Sequence, residues 1–481
     1  MTVQLEEVTL SPQSVERFRA IVSRDHMQLV NQRAVQLRQR LHDRTLWNIN
    51  STAVGGGVAE MLRPLLGYAQ GLYINARWLV IQGNPEFFKL TKGLHHALHG
   101  SSGAGVELDS AARELYEQTL AANAAALTGL LRPGDAVILH DPQTAGLAPA
   151  LLELGARVIW RCHIGQDVFD DNVRSGWRFL LPYLKDVPRF VFSRPTYVPN
   201  SLDHGRSRII QPCIDAFAAK NQALDEDSVR AILVQTGLVE GPVPVDAVPR
   251  FVREDGSTGV VERGADIIRL GRPPPFNDPL VVQVSRWDPL KDPVGVLQGF
   301  DRMLARRPDS AAHLLLAGPN VTAVADDPEG AQVFRQVERA WRELPHERRR
   351  RVHLASLPVT DVEENHAIVN AIQRHAAVVV QKSLCEGFGL TVTEAMWKAR
   401  PVLASAVGGI QDQIQHEKEG LLLQDPTDLD EFAVSLIRLL EDSPLANALG
   451  TAARERVREE FLGVRSLLQF GDLLLELLPA Q

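Results

Sequence analysis

The feature that most constrains this chain is a repeated alternation of short, β-branched apolar runs with helical stretches. In the first half, residues 45–51 (TLWNINS), 136–140 (AVILH), 156–160 (ARVIW) and 189–193 (RFVFS) have the length and composition of strands. Helical patterns lie between them, the longest over 110–131, and another begins near Val58. A stretch rich in Pro, Gly and charge follows over 225–278 and reads as a linker or an inserted excursion. The alternation then resumes, with strands predicted at 280–285, 313–318, 351–356, 376–381, 401–405 and 420–424. Such alternation builds parallel sheets with right-handed crossovers. The expected fold is α/β, with two doubly wound domains facing across a cleft. Ligands of such sheets bind beyond the carboxyl ends of the strands.

Composition narrows the function. Lys and Arg total 51 against 59 Asp and Glu, a net charge of -8, which argues against a nucleic-acid partner. No run reaches the roughly 18 apolar residues of a membrane span. The first ten residues, MTVQLEEVTL, lack the pattern of a signal peptide, so a cytoplasmic protein with no membrane partner is expected. Cys162, Cys213 and Cys385 are too scattered for a disulfide framework or a zinc site. A long helical pattern after Ser11 is expected to pack on its own domain; a homodimer seam is the weaker alternative, because no heptad is sustained.

Four segments carry candidate chemistry. Gly55-Gly56-Gly57 lies between a strand and a helix, where glycine permits close backbone approach and the helix start offers N–H groups to an anion. It fits neither a dinucleotide fingerprint nor a P-loop, and a plain tight turn is an equal reading. SRWDPLKDP (285–293) follows the first strand of the second series. Its Arg286 and Lys291 suit a diphosphate, and Asp292 with Pro293 forms a helix start. The segment from Glu386 to Glu394 joins a strand to a helix through a glycine turn. Its amides suit a phosphate or sugar oxygen, and its two acids suit hydroxyls rather than phosphate. Last, HDPQ (140–143) and RCHIGQD (161–167) put polar groups after two neighbouring strands.

Taken together these segments resemble the retaining glycosyltransferases of the GT-B architecture, family 4 in the usual classification, whose E-x7-E element matches Glu386 to Glu394. NINSTAVGGGVAE, IQGNPEFFKLTKGLHHALHG, HDPQ, DDPEG at 326–330 and EGFGLTVTEAMWKARPVLASAVGGI look most like the trehalose synthase branch of glycosyltransferring type, from about Leu46 to Phe461. The resemblance implies two Rossmann-like domains: an acceptor-side domain over 1–212 with a helical extension, a nucleotide-sugar domain over 213–459 with an insertion about 239–278, and a helix over 460–481 returning to the first. It implies transfer of glucose from a nucleoside diphosphate glucose (UDP- or ADP-glucose) to free glucose, giving α,α-trehalose with no obligatory metal.

The resemblance also implies roles. Arg286 and Lys291 bind the diphosphate, and Glu394 holds the ribose. Glu386, with the backbone of Gly387, Phe388, Gly389 and Leu390, holds the donor sugar. Gly56 and Gly57 approach the donor from the first domain, and His163 contacts the sugar near the reacting carbon. Asp141 and Gln143 position the acceptor, with Glu86 and Asp167 as further contacts. Catalysis falls to Arg286, Lys291, Glu386 and His163 by same-face attack, with the leaving phosphate taking the proton. Three alternatives stand beside it: a trehalose phosphorylase, a related transferase with another acceptor, and a non-catalytic nucleotide-sugar sensor.

Overall fold

The computed structural model describes residues 4–54, 56–101, 106–321 and 328–478. The chain divides into two compact units. One comprises the residues up to Cys213 together with those from Phe461 onward, and the other runs from Ile214 to Glu460.

The first unit is built on a seven-stranded sheet: β1 (Glu6–Glu7), β2 (Leu46–Asn50), β3 (Ala76–Val80), β4 (Ala136–His140), β5 (Arg157–Cys162), β6 (Arg189–Phe192) and β7 (Ser207–Ile209). Their order is β1-β3-β2-β4-β5-β6-β7, all parallel except the edge strand β1. All five residues of β2 and of β4 are buried, as expected for parallel strands covered on both faces. The apolar runs predicted for this half are strands within a residue or two. β3 escapes such a reading because Arg77 interrupts its apolar pattern. In the fold that guanidinium pairs with Glu7 on the edge strand and lies 4.4 Å over the Trp47 ring.

The long helical pattern after Ser11 is two pieces, a 3₁₀ turn (Val15–Ala20) and a helix (Arg24–Leu41) capped by Ser23. The helix packs on the last helix of the same unit, Gly463–Leu477, where Arg33 pairs with Asp472 and Arg40 donates to the carbonyl of Leu478 at 2.9 Å.

In the second unit, β8 (Arg250–Val252) and β9 (Thr258–Val260) form a separate antiparallel hairpin. A second seven-stranded sheet contains β10 (Asp266–Ile268), β11 (Leu280–Val284), β12 (His313–Pro319), β13 (Val352–Leu357), β14 (Val378–Gln381), β15 (Val402–Ser405) and β16 (Leu421–Leu423). The order is β10-β13-β12-β11-β14-β15-β16, with only β10 antiparallel. The stretch over 225–278 is therefore not all excursion. It begins with a helix, Glu226–Gln235, capped by Asp225, and ends by supplying the edge strand β10. Strands of three residues are too short to show a period, which hides them from sequence reading. The hairpin is pinned to the unit by Arg253, which binds Asp361 at 2.7 Å and Glu363 at 3.2 Å.

Both sheets have a switch point where the strand order reverses: β2/β4 in the first unit and β11/β14 in the second. Ligands of doubly wound sheets bind outside the carboxyl ends of such strand pairs. Among the described residues no helix is long and apolar enough to cross a membrane.

Candidate active site

In the second unit the switch point brings two segments together. The loop after β11 carries Arg286 and Lys291, and the loop after β14 carries Lys382 to Gly389. They are joined by a backbone bond from Leu384 N–H to the Leu290 carbonyl at 2.8 Å and by an ion pair between Lys291 and Glu386. Gln283, the penultimate residue of β11, donates to the Lys291 carbonyl at 2.7 Å, and Ser383 Oγ donates to Glu386 at 3.2 Å. Arg286 is the exposed cation of the set, its side chain 71% accessible and 3.4 Å from Asp288.

The helix Pro293–Arg306 starts as its sequence predicts, with the Asp292 carboxylate accepting from Gly295 N–H at 3.0 Å and Pro293 at its first position. Asp292 sits at φ 46°, a strained conformation for a residue other than glycine. Buried Lys382 pairs with the same carboxylate and holds it there. Lys382→Met is expected to cost about 3 kcal/mol of stability by leaving that carboxylate without its counter-ion. Denaturant midpoints of the variant and of Lys382→Met/Asp292→Asn test this, the second change restoring part of the loss.

The E-x7-E element takes the form its residues suggest. Gly389, at φ 87°, ends the loop and starts the helix Leu390–Trp397. That φ favours glycine, and a side chain there would also crowd Glu386 and Ile410 at 3.2 Å. Phe388 is buried, and the Gly387 carbonyl accepts from Gly409 N–H at 3.2 Å. Leu390 opens the helix, whose first N–H groups have no intrahelical partner. Glu394 is 3% accessible and 3.3 Å from Lys220, while its Oε2 is buried with no hydrogen-bond partner. A carboxylate oxygen left unpaired in the interior is costly, and a ligand hydroxyl is one group that would satisfy it. Lys398, in the turn that follows, donates to the Glu394 carbonyl at 3.1 Å. Burial pushes its ammonium pKa far down.

The first unit's switch point holds an imidazole pair. His140 Nδ1 and His163 Nε2 are 3.1 Å apart with rings stacked at 5.4 Å, and His140 Nε2 lies 3.0 Å from Asn48 Oδ1. His163 N–H donates to Asp141 Oδ1 at 2.7 Å, and Asp141 sits at φ 64°. Burial, reinforced by Arg161, holds both imidazoles well below their ordinary pKa and therefore neutral. Burial also pushes the Asp141 carboxyl up to about 7, against the pull of the His163 N–H and Arg161. Two residues on, Gln143 Oε1 is buried with no hydrogen-bond partner. Gly56, at φ 83°, caps the helix Gly57–Gly71 without a side chain; Gly55 of that loop lies outside the described residues.

The remaining acceptor candidates stand apart in character. Glu86 is exposed in the first turn of the helix Pro85–Leu98, and Asp167 is held by Arg194 at 2.6 Å and Thr196 at 2.9 Å. Asp326 and Asp327 of DDPEG lie outside the described residues. Sequence reasoning missed Asn48, Lys220 and Lys382. Lys382 follows directly on the apolar run of β14, a position that marks it in hindsight; nothing in the local pattern marks the other two. Among the described residues no three His, Cys, Asp or Glu side chains are grouped to hold a metal ion.

Two doubly wound parallel-sheet units, one presenting cations and an E-x7-E loop at its switch point, define a glycosyltransferase of the GT-B class. Residues 268–456 match the family described as glycosyl transferases group 1, and residues 48–199 match the trehalose synthase N-terminal domain. The chain belongs to the trehalose synthase family. It is 31% identical over 474 residues to a trehalose synthase of Pyrococcus horikoshii, spanning 98% of this chain and 99% of that one. It is 33% identical over 460 residues to a trehalose synthase of Thermococcus litoralis, 96% of each. In fold it is similar to a UDP-forming α,α-trehalose-phosphate synthase from Burkholderia xenovorans in complex with glucose-6-phosphate (TM-score 0.66, 16% identity, covering 90% of this chain and 99% of that one). The chain is thus a trehalose-related glycosyltransferase.

Proposed function

We propose that this enzyme transfers glucose, with retention at the anomeric carbon, from a nucleoside diphosphate glucose to free glucose, forming α,α-trehalose. The observation that carries the reading is the meeting of Lys291, Glu386 and the helix Leu390–Trp397 at one switch point, with the unpartnered Oε2 of Glu394 on that helix. A diphosphate entering there would be drawn to Arg286, Lys291 and the free N–H groups at the helix start. Lys291 is balanced by Glu386. As the diphosphate recruits the ammonium, Glu386 becomes available to accept from the sugar hydroxyls, helped by the amides of the glycine turn. Glu394 takes the ribose hydroxyls.

The acceptor side falls to the first unit. Asp141 and Gln143 would hold glucose, with Glu86 and Asp167 as outer contacts. Neutral His163 would lie by the donor sugar, and Gly56 and Gly57 would approach its phosphates. Departure of the nucleotide places negative charge on the β-phosphate, and fixed donors aimed at that charge lower the barrier. The acceptor hydroxyl attacks from the face the phosphate leaves, and the departing phosphate oxygen takes its proton. This needs no carboxylate nucleophile of the kind retaining hydrolases use.

The direct test is a screen of nucleoside diphosphate glucoses against sugar acceptors, with the product linkage read by nuclear magnetic resonance. α,α-Trehalose from free glucose is the expected product. Trehalose incubated with nucleoside diphosphate should return the nucleotide sugar; release of glucose 1-phosphate with inorganic phosphate alone would make the enzyme a phosphorylase instead. Donor binding without transfer to any sugar would make it a sensor. Glu394→Ala is expected to weaken nucleoside diphosphate binding about tenfold, the loss of a charge-assisted hydrogen bond, with a smaller effect on turnover. Unchanged affinity would remove the ribose role.

A further inference from the structure

The second unit contains a pocket of about 350 Å³ that the glycosyl-transfer reading does not use. Its lining is partly apolar, from Leu224, Val229 and Phe276, and partly cationic, from Arg374 and Arg400, with His375 and the exposed Glu226 beside them. His375 ends the helix that leads into β14, and Arg400 immediately precedes the segment that becomes β15. The pocket therefore lies toward the amino ends of these strands, whereas the loops with Lys291 and Glu386 leave carboxyl ends. Its volume falls in the range of small-ligand sites.

The charge balance of the pocket is uneven. The Glu226 carboxylate is already paired with Arg230 at 3.3 Å. Arg374 is fixed by neutral groups only: Asn370 Oδ1 at 2.9 Å and the carbonyls of Gln222 at 2.7 Å and Asn221 at 3.1 Å. Arg400 reaches the Ala376 carbonyl at 3.4 Å, and its Nε is buried with no partner. Among the described residues neither guanidinium has a carboxylate partner. Two largely buried guanidiniums lining one pocket are a costly arrangement without an anion. Burial alone already lowers the Arg400 pKa, and Arg374 is held down to about 10 by burial, Arg454 and Arg400.

The Phe276 ring is itself already covered. His375 stacks on Phe276 with centroids 4.2 Å apart, and Arg230 lies 3.8 Å over the same ring. The imidazole Nε2 is buried and has no hydrogen-bond partner. Burial, Arg400 and Arg230 hold its pKa at about 4, so its charge does not add to the pair of guanidiniums at neutral pH.

We propose that this pocket binds a phosphate monoester with a small organic body, the phosphate at Arg374 and Arg400 and the body against Leu224 and Val229. Guanidinium groups bind phosphate through paired N–H donors, which Arg400 has available. The apolar lining and the volume, larger than a bare phosphate fills, argue for an ester over the free ion.

The test is calorimetric titration with glycerol 3-phosphate and, separately, inorganic phosphate at constant ionic strength, using the full-length Arg286→Ala protein so that the exposed donor-side cation does not supply the signal. Glycerol 3-phosphate is expected to bind several-fold more tightly than inorganic phosphate. Arg400→Gln should weaken it at least tenfold, and Glu226→Gln, which removes the rim carboxylate from an exposed helix turn, should tighten it two- to fivefold. Absence of binding, or affinity unmoved by both substitutions, overturns the proposal. Equal affinity for the two probes overturns the organic body. Should Arg400→Gln fail to fold, the sign of the Glu226→Gln effect still decides. Transfer activity enters none of these readings, so failure here is distinct from failure of the glucosyltransferase proposal.

Discussion

Arg286→Ala is expected to lower turnover with the donor by two to three orders of magnitude while leaving the unfolding midpoint where it was. The rate effect follows from removing one preorganised donor at a developing phosphate charge, worth about 3–4 kcal/mol. The unchanged stability follows from exposure: the side chain is largely in water, and its one ion pair, with Asp288, is long. Lys291 differs. Its side chain is 17% accessible and its partner Glu386 is 11% accessible, so Lys291→Ala loses the rate and also takes the counter-charge from a largely buried carboxylate. The double variant Lys291→Met/Glu386→Gln separates the two effects. It should regain most of the stability and none of the activity. Near-normal turnover in Arg286→Ala and Lys291→Ala would end the leaving-group argument, whatever the midpoints show.

Asp141→Asn should make the protein more stable at pH 8 and leave it nearly unchanged at pH 4. Burial pushes the Asp141 carboxyl up to about 7 in the folded chain, from the ordinary 3.8 it has in the unfolded chain. Between those values the folded state holds a proton the unfolded chain has released. Stability contributed by this site therefore falls as pH rises from about 4 to about 7, then stays flat. Three pKa units correspond to about 4 kcal/mol, and a half-buried side chain brings the expected gain in the variant to about 2–4 kcal/mol at pH 8. Asparagine keeps the oxygen that accepts from His163 N–H and tolerates the left-handed backbone found here. His140 and His163 titrate in both proteins, so taking the difference between variant and parent at each pH removes most of their contribution. A difference that does not change between pH 4 and pH 8 would show that Asp141 ionises freely. If Asp141 accepts hydrogen bonds from glucose, the same substitution raises KM for glucose more than it lowers kcat. An unaltered KM would take Asp141 out of the acceptor site.

Most of the strand inventory was legible because it depends on neighbours in sequence. Val378–Gln381 and Leu280–Val284 are mostly apolar runs of strand length, and Asp292-Pro293 is a helix start written in two adjacent residues. The elements that were not legible are those whose reason lies far along the chain. β3 carries Arg77 in an otherwise apolar run because Glu7 and Trp47 wait for it. β10 is three residues long and exists because β13 offers it an edge. The diphosphate reading of Arg286 and Lys291 and the hydroxyl reading of Glu386 and Glu394 came from the residues, and the family resemblance sharpened them into the proposed roles. It pointed to neither Lys382, which keeps Asp292 in its strained cap, nor Lys220, which faces Glu394.

The sequence by itself determined that this chain makes two parallel α/β sheets, that Gly389 must open a helix, and that cations and acids follow particular strands. Local periodicity, capping and the freedom of glycine act over a few residues and need no knowledge of the rest. Only the tertiary structure decided that β14 lies next to β11. That strand order, a property of packing across the whole unit, carries Glu386 to Lys291 over a separation of 95 residues and leaves Glu394 with an unsatisfied oxygen.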